Sequence, residues 1–468
     1  MRADRRWLAG ILATSVALRL VAAAILADRV QDLPGIFDEI SYHTLATRLL
    51  GGFGFTFARL WWPLTAAGTP TAHWSYLYTL WVAAVYAIFG AHPLAVRIVQ
   101  SVFAGALMPF FTYRLACQVV PGPRQPVQHH WPALVAAAWT ALYAYFVYYT
   151  AALMTEAFFM TGVLWSLDCA VRVSGWRRGS PAAGQVDAPA GWWTWIELGL
   201  AMAITVYLRE VFLVFVPVLL GWLVLSELVR AAGSARDRMR AAWHQCAGGV
   251  LASAGVLGLL LAPATAFNYH QFDRFVLLNT NSGYAFFWSN HPIYGDHFTP
   301  ILPDNSAYTA LIPDDLRSLS VNEAALESAL LQRGIGFVLA DPARYIRLSL
   351  SRIPVYFMFW PSADSGLLSN MARVGSFGLA LPLMLLGLGL WLADWFQPAQ
   401  RLFAWRSSLL VLFAVTFSLI YILSWALTRY RLPVDAVGVI FAARALVSLI
   451  SVARHRAPMG KTENLATA

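Results

Sequence analysis

The chain is poor in charge and almost without cysteine. Only 12% of its 468 residues are charged while 59% are hydrophobic, a balance that excludes an ordinary soluble domain. Cysteine is limited to Cys117, Cys169 and Cys246, scattered near the ends of apolar runs. That spacing makes neither a disulfide framework nor a zinc site, and the three read as small core side chains. The sequence also has no Walker A loop, no GxGxxG before a helix, no HExxH, no GxSxG and no D-x-D element for a metal and a nucleotide sugar. The formal net charge of +9 would point to nucleic acid in a soluble chain. Here the arginines cluster between apolar segments, so the charge reads as membrane topology and no nucleic-acid partner is expected.

What is present is apolar sequence in lengths that span a bilayer. Such windows lie near 7–27, 74–90, 94–119, 131–148, 150–171, 193–209, 211–228, 247–267, 375–396, 407–427 and 432–451. The first follows "MRADRR", is long enough to span and lacks a cleavage site, so it reads as a retained helix and not a signal peptide. Basic clusters at Arg2/Arg5/Arg6, Arg124, Arg172/Arg177/Arg178, Arg230/Arg236/Arg238/Arg240, Arg401/Arg406 and Arg454/Arg456/Lys461 mark the cytoplasmic side. They fall on one side only if one window fails to cross. The window 74–90 is short, aromatic-rich and bounded by Pro70 and Gly90, which predicts a helix at the outer interface.

The expectation is an all-α polytopic membrane protein with about ten transmembrane helices and both termini cytoplasmic. It has external segments at 28–93 and 268–374, the first carrying interfacial helices and the second, the least hydrophobic stretch, serving as a lid. The chain divides into a transmembrane module 1–267, the external loop 268–374, and C-terminal helices with a cytoplasmic tail, 375–468. Membrane lipids are partners by necessity.

The stretch "LPGIFDEISYHTLATRLL" places Asp38 and Glu39 at the start of a helix just beyond the first span. One reading is local: Asp38 caps the helix and Glu39 sits in its first turn, above the stripe Tyr42, Leu45 and Leu49. The other looks at what shares that side of the membrane. Glu156, Arg209 with Glu210, and Arg429 with Arg431 lie at the outer ends of apolar helices, where ionisable groups pair or line a cavity. Arg59, Arg97 and His73 join them. A guanidinium fork suits a phosphate and a carboxylate suits a proton taken from a hydroxyl, so the set points to a lipid-phosphate substrate at headgroup depth, with structural salt bridges as the competing account. His43 reads as a neighbour of Tyr42, and His129 and His130 match no metal motif.

The segments "FDEISYHTLATRLLGGFGFTF", "AVRIVQSVFAGALMPFFTYRLA", "TEAFF", "SGYAFFWSNHPIYG", "DPARYIRLSLSRIP" and "RYRLPV" carry a resemblance that runs over nearly the whole chain. It is to bacterial membrane glycosyltransferases related to protein O-mannosyltransferases, of the GT-C fold, similar also to the aminoarabinose transferase that modifies lipid A. The resemblance implies a sugar moved from a polyprenyl-phosphate donor to an acceptor hydroxyl on a protein, lipid or glycan, at the external face of an inner or plasma membrane. It implies Asp38 as catalytic base, Glu39 as its companion, and Glu156 as an acid that binds the acceptor or orients the site. Arg209, Arg429 and Arg431 are the nearest matches for arginines that neutralise the donor phosphate, with Arg59, Arg97 and His73 as further candidates. The sequence departs from many relatives at "TPTAHW", where they are Pro-rich or carry a lysine. Tyr42 and the aromatics Tyr284 and Trp288 are expected to contact acceptor or sugar. Because phosphate leaves readily once its charge is met, no metal and no cofactor are expected.

Two other classes use similar residues. A transporter or flippase of a lipid-linked or anionic substrate would use the same charges as substrate or proton sites, but usually shows paired repeats that are not visible here. A non-catalytic relative would only bind polyprenyl phosphate.

Overall fold

The computed structural model describes residues 4–30, 37–121, 129–174, 191–231, 233–302, 306–362 and 366–456. Arg2, Arg124, Arg177, Arg178 and Lys461, which entered the topological reading, lie outside them. The described chain is helical: α1 Arg5–Leu26, α2 Asp38–Leu50, α3 Tyr76–Phe89, α4 Pro93–Val119, α5 Trp131–Leu142, α6 Ala144–Ala151, α7 Glu156–Val173, α8 Trp192–Leu208, α9 Val216–Arg230 and α10 Ala235–Phe272. The segment 268–374 then adds α11 Ser282–Ser289, α12 Ser306–Ala310, α13 Asp314–Arg317, α14 Glu323–Ala340, α15 Pro342–Tyr356 and α16 Leu367–Arg373. The last helices are α17 Leu379–Asp394, α18 Arg401–Leu423 and α19 Leu432–Arg456.

Seven described stretches are long and apolar enough to cross a bilayer: Arg5–Leu26, Pro93–Val119, Glu210–Arg230, Cys246–Phe272, Leu367–Asp394, Arg401–Leu423 and Thr428–Arg454. The bent pair α5/α6 makes an eighth if it is one span, and the chain is a multi-pass membrane protein. The expected ten also counted α7 and α8, apolar helices of 18 and 17 residues. Helix α3, in the window read as non-crossing, has 14 residues and buries Tyr76, Tyr78, Val82 and Tyr86. Its rise of about 21 Å is less than the hydrocarbon thickness of about 30 Å.

The window boundaries near 150 differ from the sequence reading, and Arg19 explains why. Helix α5 stops at Leu142, Tyr143 is extended, and α6 resumes at an angle of 52°. A helix end leaves carbonyls without partners. Arg19, fully buried in α1, supplies them: Nη1 donates to the carbonyl of Ala141 at 3.0 Å and Nη2 to that of Thr140 at 3.2 Å. Nη1 also reaches Ser15 Oγ at 2.7 Å, and Nε donates to Thr150 Oγ1 on α6 at 3.2 Å. An arginine in one helix thus stabilises a break in its neighbour. Helix α1 lies close enough to α4 for this because residue 105 is glycine: a Cβ there would stand 3.0 Å from Arg19 Cδ and 3.2 Å from Val16 Cα. The three cysteines are free; Cys169 and Cys246 are buried and Cys117 is partly so.

Candidate active site

Four charged side chains meet where helices begin or break. Asp38 is the first residue of α2 and Glu156 the first of α7, so each carboxylate sits at the positive end of a helix dipole. Arg209 is an extended residue between α8 and the 3-10 turn Glu210–Val214, and Arg429 lies in the 3-10 turn Thr428–Arg431 ahead of α19.

Arg429 Nη1 donates to Asp38 Oδ2 at 2.9 Å and stands 3.9 Å from Glu156 Oε1. Arg209 pairs with Glu156 through Nη2, and its Nε donates to Thr155 Oγ1 at 3.1 Å. The Tyr430 ring is shared by both guanidiniums, at 5.4 Å from Arg209 and 5.1 Å from Arg429; it stacks on Tyr421 at 4.7 Å, and its hydroxyl accepts from Arg429 Nη2 at 3.4 Å. Two acids and two arginines make a cluster of zero formal charge. Side-chain exposure is 15% for Asp38 and Arg209, 11% for Arg429 and 3% for Glu156. Glu156 Oε2 and Arg429 Nε are buried and have no hydrogen-bond partner among the described residues.

The other charged candidates have different surroundings. Glu39 turns inward to Arg97, whose Nη2 lies 3.2 Å from both carboxylate oxygens. Arg97 also donates to the carbonyls of Ala27, Arg29 and Ala151 at 2.8, 2.8 and 2.9 Å, while Glu39 accepts from the Leu153 amide at 3.0 Å. Arg97 is fully buried and bound to internal partners. Arg431 is likewise held from within: Nε donates to Asp435 at 2.9 Å and Nη1 to the carbonyl of Tyr356 at 2.7 Å. The partner Asp435 also accepts from the Tyr143 hydroxyl at 2.8 Å. Arg59 is on the surface, over the Trp61 ring at 5.4 Å, away from the cluster's contacts.

The uncharged candidates form a second layer. Tyr42 is buried edge-on against Trp74 and Tyr78, and burial, with the charge of Asp38 adding to it, pushes its hydroxyl well above the usual phenol range. His73 packs against Trp74 and Tyr284 and donates from Nδ1 to the carbonyl of Thr280 at 3.3 Å. Burial pushes its imidazole below the ordinary value against the opposing pull of Glu323, the Thr280 carbonyl, Asp38 and Glu327. Tyr284 is buried with its hydroxyl unpartnered among the described residues. Trp288 stacks on Trp62 at 5.0 Å, meets Trp425 edge-on at 6.0 Å, and donates from Nε1 to the carbonyl of Tyr308 at 2.8 Å.

Sequence reasoning missed Glu323. This acid is buried at the first position of α14 and accepts from Thr65 Oγ1 at 2.7 Å, Thr71 Oγ1 at 2.8 Å, the Ala72 amide at 2.9 Å and Thr280 Oγ1. Glu210 adds a second tie, accepting from the Asn279 amide at 2.9 Å. Together they fasten the segment 268–374 to the 65–73 loop and to the Arg209 break. Among the described residues no three His, Cys, Asp or Glu side chains converge as metal ligands.

No family model and no curated protein matches the chain. Solved structures do. The archaeal oligosaccharyltransferase AglB from Archaeoglobus fulgidus, in complex with an inhibitory peptide and a dolichol-phosphate, matches with a TM-score of 0.55 at 12% identity, over 99% of this chain and 53% of that one. The oligosaccharyltransferase of the same organism, tethered with an acceptor peptide containing the NVT sequon, matches with a TM-score of 0.57 at 13% identity, over 96% of this chain and 50% of that one. ArnT from Cupriavidus metallidurans bound to undecaprenyl phosphate aligns at 12% identity over 96% of this chain and 79% of that one, with a TM-score of 0.35. The chain spans about half the length of the archaeal oligosaccharyltransferase.

Proposed function

From the GT-C fold, which the superposition with the archaeal oligosaccharyltransferase establishes, we propose that this protein is a membrane glycosyltransferase. It moves a sugar from a polyprenyl-phosphate donor to a hydroxyl of a protein, lipid or glycan. The observation that carries the reading is the Asp38–Arg429 contact beside Glu156 and Arg209. A proton acceptor and two phosphate-binding forks stand together at the broken ends of helices, where a lipid headgroup lies. The dolichol-phosphate in the archaeal complex supports a lipid-phosphate donor.

In the proposed reaction the acceptor oxygen attacks the anomeric carbon as Asp38 takes its proton. The bond from that carbon to the phosphate oxygen breaks on the opposite face, the electron pair leaves with the lipid phosphate, and configuration inverts. Arg429 and Arg209 meet the phosphate charge as it develops. Glu156 holds Arg209 in place, and its second oxygen is left to accept from a hydroxyl. The site faces the periplasm or the cell exterior, with both termini in the cytoplasm.

The test is release of sugar from a panel of polyprenyl-phosphate sugars in proteoliposomes, comparing wild type with Asp38→Asn. We expect loss of about 10²–10⁴-fold in the variant with lipid-phosphate binding retained. Full activity in Asp38→Asn removes it as the base, and consumption of no donor by the wild type, with acceptors of all three classes supplied, refutes the reading.

A further inference from the structure

Helix α15 touches the chain on both sides of Arg429. Upstream, Arg352 Nη1 donates to the carbonyl of Ile422 at 3.3 Å and the Tyr345 hydroxyl to that of Leu423 at 2.9 Å, the last two residues of α18. Downstream, Arg431 Nη1 donates to the carbonyls of Tyr356 and Met358, at 2.7 and 3.3 Å, where α15 ends. The connection that carries Arg429 is thus tied at its two ends to one helix. A helix leaves its last carbonyls without partners of its own, so the tie at the end of α18 must come from a donor outside it.

Arg352 is fully buried and, unlike Arg97 and Arg431, is met by no carboxylate among the described residues. Its Nη2 donates to the carbonyl of Ser289 and to Asn290 Oδ1 at 3.1 Å, so the guanidinium stands between the C-terminal ends of α11 and α18. Each such end carries about half a negative charge, and two of them match one guanidinium. The preceding turns of α15 divide the two tasks. The Arg344 side chain reaches the α11 side, donating to the carbonyls of Asn290, His291 and Gly295 at 2.9, 2.8 and 3.0 Å. The Tyr345 hydroxyl reaches the α18 side.

Resting on the transferase reading above, we infer that Arg352 is a positioning residue for Arg429, holding the turn that carries the phosphate-binding fork through the end of α18. Arg352 touches neither acid of the cluster and acts on the donor only through Arg429. Recognition of a phosphate by a guanidinium is geometric, so a small displacement of the turn lowers affinity for the donor. The same side chain ties the turn to residues 289–290, and the segment 268–374 and the Arg429 turn are set by one guanidinium.

The division of labour along α15 separates positioning from general loosening. Decaprenyl monophosphate, which carries no sugar, is titrated into the detergent-solubilised full chain with binding read by native mass spectrometry, and amide exchange is followed in the same proteins. Arg352→Met, an apolar replacement of a buried ion, should speed exchange at 289–295 and 422–431 together and weaken binding about tenfold. Tyr345→Phe should weaken binding about three- to fivefold and leave exchange at 289–295 as in wild type. Arg344→Gln should speed exchange at 290–295 and leave binding unchanged. Adding Arg352→Met to Arg429→Gln should cost no further affinity. A loss in Arg344→Gln as large as that in Arg352→Met is general loosening and overturns the inference. So does wild-type affinity in both Arg352→Met and Tyr345→Phe, or a further loss in the double variant. If Arg352→Met does not purify as a monodisperse protein, Tyr345→Phe decides alone, since it deletes one hydroxyl from a half-buried ring. Sugar transfer by the wild type, with phosphate affinity unmoved in these variants, sinks the role of Arg352 and leaves the transferase standing. Absence of both transfer and decaprenyl phosphate binding sinks the transferase and, with it, the role of Arg352.

Discussion

The amide of Ala72 donates to the carboxylate of Glu323 at 2.9 Å, joining positions 251 residues apart in sequence. Thr65, Thr71 and Thr280 donate to the same two oxygens, so one buried acid satisfies donors from the 65–72 loop and from the strap that follows α10. Replacing Glu323 with alanine leaves those donors buried without an acceptor, at a cost of about 2–4 kcal/mol of local stability. Amide exchange should accelerate at 65–73 and 276–282 while the cores of α4 and α7 keep their protection. Uniform exchange across the chain would show that Glu323 is not a local fastener.

Glu39 and Asp38 are adjacent, yet their substitutions should fail in different ways. Glu39→Ala strips Arg97 of its carboxylate in a fully buried site, and removal of one partner of such a pair costs about 3–5 kcal/mol. The expected outcome is a lower melting temperature and poor recovery from the membrane. Asp38→Asn, partly exposed, should purify normally and lose turnover. A Glu39→Ala protein with wild-type thermal stability would contradict the anchoring role.

His73 makes the packing of residues 276–282 on the 65–73 loop sensitive to acid. Burial holds its imidazole below the ordinary histidine value of 6.5, so the unpacked form binds a proton more readily. The contribution is complete above pH 6.5 and is lost as pH falls through that value toward the folded one, with a slope of at most about 1.4 kcal/mol per pH unit. His73→Asn keeps a donor for the Thr280 carbonyl and removes the titration. Its exchange rates at 276–282 should rise less between pH 7 and pH 5.5 than those of wild type. Equal slopes would exclude His73 as a source.

Gly283 sits where α11 crosses α14, and a Cβ there would stand 2.1 Å from the carbonyl oxygen of Glu327. Backbone, unlike a side-chain tip, cannot swing away. Gly283→Ala should therefore separate the two helices and cost about 1–3 kcal/mol, read as a lower melting temperature and faster protease cleavage within 276–302. A variant as stable and resistant as wild type would place the two helices farther apart than described.

Much of the bundle was legible because unbroken apolar composition is enough to identify a span, as at Arg5–Leu26 and Pro93–Val119. The break after Leu142 was not, since no glycine or proline marks it and its stabilising partner, Arg19, is over a hundred positions away. The acids and arginines of the cluster stood out because charge among apolar residues is costly. What a linear reading could not assign was which arginine meets which acid. Arg97 is taken by Glu39, leaving Asp38 to an arginine near the other end of the chain. The Arg431–Asp435 pair, at i and i+4, was within reach of sequence reasoning. Glu323 was hidden by its setting: in a polar segment an acid draws no notice until its neighbours are known.

The two halves of the Asp38–Arg429 pair are 391 residues apart, and at translation rates of about 5–20 residues per second the second follows the first by roughly 20–80 s. During that interval α2 already bears its carboxylate while the turn that answers it has yet to be synthesised. Assembly of the pair therefore belongs to the end of membrane insertion, and a chain halted before Thr428 holds an acid at the head of α2 with no cation from this turn. The last helices to enter the bilayer do more than complete the wall: their arrival is the moment at which the carboxylate acquires its counterion.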